Sequence, residues 1–150
     1  MPALALALAA VGASGCLLKA PKENLRSVVL AFNSAQRWGL ADRMAEHVPA
    51  DGEAGVMAKR DDFGELQVTS CEVGALELKK KGHAVAMVKI EWYRLRRGRL
   101  NTTFVSQRWK QVDGVWKMIQ QRRVRGAPYP LLRRDRRGLE REVWPEVSAR

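Results

Sequence analysis

Between Leu66 and Val124 the apolar residues recur at about every second position, in runs cut apart by charged or glycine-bearing turns. A period of two puts alternate side chains on opposite faces of an extended chain, so this stretch buries one face as an antiparallel sheet. Leu66 to Leu78 reads as a first strand or a bent pair of strands, interrupted at Gly74, and Lys79-Lys80-Lys81-Gly82 turns the chain. His83 to Arg94 follows, with Ala84, Ala86, Val88, Ile90 and Trp92 on one face. Arg96, Arg97, Gly98 and Arg99 supply the next turn, and Leu100 to Val112 a third strand. Asp113-Gly114 suits a two-residue turn with positive φ at both central positions, so Val115 to Val124 returns antiparallel. Counting outward from that turn sets Gln111 opposite Trp116 and Trp109 opposite Met118.

Ahead of the sheet, Glu23 to Trp38 has the spacing of an amphipathic helix. Leu25, Val28, Val29, Phe32 and Ala35 form its stripe, with Arg26, Asn33 and Arg37 off it, and Gly39 ends it. A second short helix runs from Leu40 to about Val48, closed by Pro49 and Gly52. Asp51 to Gly64 is acidic and weakly patterned, which predicts a loop with at most one helical turn. Helices followed by long antiparallel strands predict an α+β fold, with the N-terminal helices packed on a strongly curved antiparallel sheet. A chain of 150 residues holds one such domain. Its expected span is 23–124, after a leader at 1–15 and a tether at 16–22, and before a basic tail at 125–150.

The run Gln107-x-Trp109-x-x-x-Asp113-Gly114-x-Trp116-Lys117-Met118-Ile119 resembles the last hairpin of the nuclear transport factor 2-like superfamily. The opening from Leu25 to Met44, with Trp38-Gly39 between two helices, is similar to the superfamily's helical start, and the likeness covers residues 23 to 124. It implies a cone-like, cystatin-like arrangement in which the sheet wraps the first helix and leaves a pocket at the open end. It also implies homodimers through the open sheet face. Trp38, Trp92, Trp109 and Trp116 are the candidate pocket-lining rings, with core packing as their other reading. Catalytic members of the superfamily, the ketosteroid isomerases and polyketide cyclases, work through Asp, His or Tyr reaching into the cone. Here the first helix has none of these on its stripe. The remaining candidates are Asp42, His47, Asp61, Asp62, His83, Glu91 and Tyr93. His47, beside Pro49, is expected in solvent and His83 at a strand mouth. Glu91 and Tyr93, out of phase with Ile90 and Trp92, are expected to point outward. No catalytic residue is therefore assigned, and the expectation is a non-catalytic binding or scaffolding module, with a small isomerase or cyclase as the alternative. No glycine-rich phosphate loop, nucleophile elbow or metal-spaced cluster is present. Two cysteines and two histidines do not make a four-ligand zinc site, so no cofactor or metal is expected.

Residues 1 to 15, MPALALALAAVGASG, carry no charge and are too short to span a bilayer. They fit the apolar region of a secretory signal, and Ala13, Ser14 and Gly15 before Cys16 resemble a bacterial lipobox. The resemblance makes Cys16 the lipid-attachment residue and the mature N-terminus, its thiolate taking a diacylglycerol. Two or three acyl chains anchor stably, and Leu17 after the cysteine implies the periplasmic face of an outer membrane in a double-membraned host. The alternative is an Ala-rich helix packed on the domain. Cys71 is then left over, as a small buried thiol or as one that pairs between chains.

The net charge of +11 is one-sided. Cys16 to Lys81 holds 10 basic and 10 acidic residues, whereas Gly82 to Arg150 holds 17 against 6. Arg94, Arg96, Arg97 and Arg99, with Arg133, Arg134, Arg136 and Arg137, form a candidate anion-binding surface for anionic lipid or an envelope polymer. The competing reading is a solvated tail after Pro128 and Pro130, which stop the last strand. The anchor makes the membrane the first partner, alongside an unidentified protein. Export sets nucleic acid aside; it returns as a partner only if residues 1 to 15 are retained.

Overall fold

A computed structural model of the chain describes residues 21–132 and 141–143. The leader, Cys16, the tether up to residue 20, and Arg133, Arg134, Arg136 and Arg137 lie outside the described residues. Helix α1 (Pro21–Arg37) therefore begins two residues inside the expected tether. It buries Leu25, Val29, Phe32 and Ala35 as the spacing predicts. Asn33 and Gln36 are buried as well, although Asn33 was expected off the buried stripe. The helix ends in a Schellman motif: Gly39 takes φ +66°, its N–H donates to the Gln36 carbonyl, and the Leu40 N–H donates to the Ala35 carbonyl.

Three short helices follow, α2 (Ala41–Ala45), α3 (Ala50–Met57) and α4 (Asp62–Glu65). The expected loop over Asp51–Gly64 is thus largely helical. Pro49 sets the chain direction at φ −59° before α3, and Asp51 and Glu53 sit in its first turn, where the helix dipole favours acidic groups. Only Gly52 and Val56 of α3 are buried, so no apolar stripe marks it in the sequence.

Strands β1 (Leu66–Lys80), β2 (His83–Arg94), β3 (Asn101–Val112), β4 (Val115–Gly126) and β5 (Arg141–Val143) form one antiparallel sheet in chain order. The architecture is the predicted α+β one, helices packed against a curved antiparallel sheet. Gln111 pairs with Trp116 and Trp109 with Met118, as counted from the turn, and Asp113 and Gly114 both take positive φ. The interruption expected at Gly74 is a register shift between Val73 and Leu76, one of three in the β1–β2 pairing. Such bulges bend a strand and increase its twist.

Two apolar clusters fill the concave side. One joins α1, α2 and α3 to Trp109, Trp116 and Met118. The other joins Leu66, Val68, Val88, Ile90 and Trp92 to Tyr129, Leu131 and Leu132. Packing therefore continues past Val124, where the domain was expected to end, and a segment of the expected basic tail pairs with β4 as β5. The return depends on Gly126 at φ +89°, where a Cβ would lie 2.3 Å from the Thr102 carbonyl oxygen. The next residue is clamped to β3: the Ala127 N–H donates to the Thr102 carbonyl, and the Thr103 hydroxyl donates to the Ala127 carbonyl.

Gly126→Ala should lower the urea unfolding free energy by more than about 2 kcal/mol, adding a backbone clash to positive-φ strain. Gly114→Ala, with nothing within 4 Å of the added Cβ, should cost about 1 kcal/mol.

Candidate functional site

Two regions carry chemistry, the interior of the cone and one end of the sheet. Inside, α1 offers Asn33 and Gln36, β3 offers Gln107 and β4 offers Gln121, none more than 2% exposed. Asn33 Nδ2 donates to Gln107 Oε1 at 3.0 Å, and Gln107 Nε2 returns a bond to Asn33 Oδ1 at 2.9 Å. Gln107 Nε2 also donates to Gln121 Oε1 at 2.7 Å, and Gln121 Nε2 to Gln36 Oε1 at 3.4 Å. Gln36 Nε2 then reaches Cys71 Sγ at 3.7 Å, which closes a chain of amides from helix to sheet edge. Amides neither gain nor lose a proton near neutral pH, so this chain orders the interior without supplying an acid or a base. Cys71 and Tyr129 can titrate. Burial pushes the Cys71 thiol up to about 11, against the opposing Gln36 hydrogen bond. Burial also raises Tyr129 well above its ordinary value. Both hold their protons at neutral pH.

The second region is built on the turn between β2 and β3. The Arg94 carbonyl accepts from the Arg97 and Gly98 N–H groups, and Gly98 takes φ +60°. Arg94, Arg96 and Arg97 line an open cleft of about 290 Å³ together with Glu65, whose carboxylate lies 3.6 Å from the Arg96 guanidinium. Among the described residues no carboxylate pairs with Arg94, Arg97 or Arg99. Next to it, Trp38, Phe63, Gly64, Leu66 and Gln67 wall a cleft of about 280 Å³, with the Arg37 guanidinium 5.0 Å above the Trp38 ring. A third cleft of about 350 Å³ crosses the sheet between Val73, Met87, Phe104 and Val124. Arg125 caps the Phe104 ring at its edge.

No family model matches the sequence, and no curated protein matches it. Solved structures do. An NTF-2 like protein of unknown function from Shewanella oneidensis MR-1 aligns with a TM-score of 0.52 at 10% identity, over 66% of this chain and 94% of that one. An NTF2-like protein from Cytophaga hutchinsonii ATCC 33406 aligns at 0.51 and 15% identity, over 65% and 91%. A protein of unknown function with a cystatin-like fold from Nostoc punctiforme PCC 73102 gives 0.51 and 15%, over 74% and 95%. The fold is NTF2-like.

Within the NTF2-like domain the tryptophans divide. Trp38 is exposed and lines a cleft. Trp92, Trp109 and Trp116 lie in the two core clusters, which is the packing reading of these rings. Trp109 meets Phe32 edge-on at 5.8 Å, and Trp92 Nε1 donates to the Thr103 hydroxyl at 2.9 Å. None of the acid/base candidates enters the interior. Asp42, Asp61 and Asp62 are exposed, Asp42 bonding Arg60. His83 stands at the mouth of β2, beside the Lys81 carbonyl. Glu91 and Tyr93 face away from the core, with Glu91 ion-paired to Lys89 at 2.7 Å. His47 departs from expectation: it is half-buried against Phe32, because its carbonyl accepts the Met118 N–H at 2.7 Å and draws it onto β4. The buried amides were not singled out in the sequence, although Gln107 shares a strand face with Val105 and Trp109.

Two outcomes follow from the interior and its flank. Gln107→Leu orphans the facing amides of Asn33 and Gln121 and should cost about 1–3 kcal/mol for each unpaired group, read by urea titration. Burial lowers the His47 pKa from its ordinary 6.5, Glu46 opposing and Lys117 assisting. The unfolded chain then binds the proton more readily, so stability is full above about pH 6.5 and declines as pH falls below it. The loss in urea midpoint between pH 7.5 and 5.5 should be smaller in His47→Gln than in the unmodified protein.

Proposed function

We propose that the chain is a cell-envelope lipoprotein, anchored through acyl chains on Cys16, whose NTF2-like domain binds anionic groups without catalysis. The observation that carries the non-catalytic part is the interior amide chain. The space where a proton-transferring side chain would work in an isomerase or cyclase holds Asn33, Gln36, Gln107 and Gln121, which satisfy one another. Cys71 and Tyr129, both protonated at neutral pH, offer no base beside them. The binding part rests on the β2–β3 turn, where Arg94, Arg96 and Arg97 line one cleft and its single carboxylate, Glu65, pairs with Arg96 alone. Guanidinium forks suit phosphate and carboxylate oxygens, and a shared cleft lets more than one reach the same anion. The anchor rests on the uncharged run that ends Ala13-Ser14-Gly15-Cys16.

Cys16→Ser should move the protein from the salt-washed membrane pellet into the soluble fraction; retention in the pellet would refute the anchor. On a phosphocellulose column, Arg94→Gln/Arg96→Gln/Arg97→Gln should elute at lower salt than a control with Gln at Lys79, Lys80 and Lys81. Equal elution of the two would reduce the arginine turn to net charge alone.

A further inference from the structure

The corner where α4 runs into β1 serves both clefts at the end of the sheet. Gly64 and Leu66 wall the Trp38 cleft, Glu65 between them walls the arginine cleft, and the Leu95 N–H donates to the Glu65 carbonyl at 3.1 Å. This end exposes three large apolar side chains, Trp38 at 64%, Leu95 at 58% and Leu100 at 57%. In the chain each adjoins arginine: Trp38 follows Arg37, Leu95 lies between Arg94 and Arg96, and Leu100 follows Arg99. A soluble polyanion would engage the arginines and leave the two leucines and the indole in water. The interfacial zone of an anionic bilayer satisfies both kinds of group. Phosphates lie at the level of the guanidinium heads, the acyl boundary lies just beneath, and indole rings prefer the region between.

We infer that this end of the domain is a membrane-seating rim: Trp38, Leu95 and Leu100 enter the acyl boundary of an anionic bilayer while the surrounding arginines hold headgroup phosphates. The inference rests on reading the arginine turn as an anion-binding surface, and adds the apolar residues and the bilayer to it. It does not depend on the acyl chains of Cys16.

The full chain is added to vesicles with brominated acyl chains, either phosphatidylglycerol mixed with phosphatidylcholine or phosphatidylcholine alone. The emission of Trp38 is taken as the difference between the unmodified protein and Trp38→Phe. It should be quenched on the anionic vesicles and not on the neutral ones. Arg96→Gln/Arg97→Gln should weaken vesicle affinity about fivefold per arginine. Leu95→Ser/Leu100→Ser should weaken it at least about tenfold and leave retention on phosphocellulose unchanged. Vesicle-bound protein whose Trp38 emission is unquenched would overturn the rim. If the turn arginines still govern phosphocellulose retention in that case, the anion surface stands and only its seating in a bilayer falls. If they govern neither retention nor vesicle binding, both readings fall together.

Discussion

The reciprocal amide pair between Asn33 and Gln107 holds the first helix at one height and one angle over the sheet. Each side chain donates to and accepts from the other, so sliding α1 by a turn would break two bonds and strand two buried amides. An orphaned buried polar group costs roughly 1–3 kcal/mol, a large fraction of the stability of a domain of this size. Apolar contacts tolerate sliding far better, because they have no direction. The pair therefore sets the register within which both apolar clusters pack, one on either side of the amide chain.

The sheet closes on that helix by local devices. Shifts in the β1–β2 pairing bend the long first strand, and the Asp113-Gly114 turn reverses the last hairpin in two residues. Gly126 then lets the chain fold back across β3, bringing Tyr129, Leu131 and Leu132 over Ile90 and Trp92. Three of the tryptophans are absorbed into this packing. Trp38, just beyond the last turn of α1, is left outside it, and its position at the arginine end follows from the Schellman motif that stops the helix there.

Strands were legible because their alternation is a direct image of burial, and the hairpin register because two turn residues fix every pair that follows. Burial alternates almost residue by residue along β2. The short helices were not legible: α3 buries one side chain of any size, Val56, so helical periodicity has nothing to act on. The interior amides were hidden for a related reason. Pattern reading sorts residues into apolar-inside and polar-outside, and Asn33, Gln36, Gln107 and Gln121 are polar residues inside whose partners lie 14 to 85 positions away. Tyr129 lies between two prolines and Leu131 and Leu132 lie just after them, and prolines that stop a strand do not stop packing. The arginine turn was visible as composition, but the sequence does not show that Trp38 and Glu65 converge on it.

Helix α1 has 17 residues, a rod about 25 Å long, with the chain leading to Cys16 at one end and Trp38 just past the other. From Cys16 to Pro21 the polypeptide at full stretch reaches about 17 Å. Were the proposed thioether held in a leaflet and the proposed rim seated on the same leaflet, the rod could not stand upright, since its far end would sit higher than the leash allows. Its axis would then lie within about 45° of the membrane plane. The domain would recline on the lipid, and the length of one helix would decide which flank of the sheet looks into the envelope.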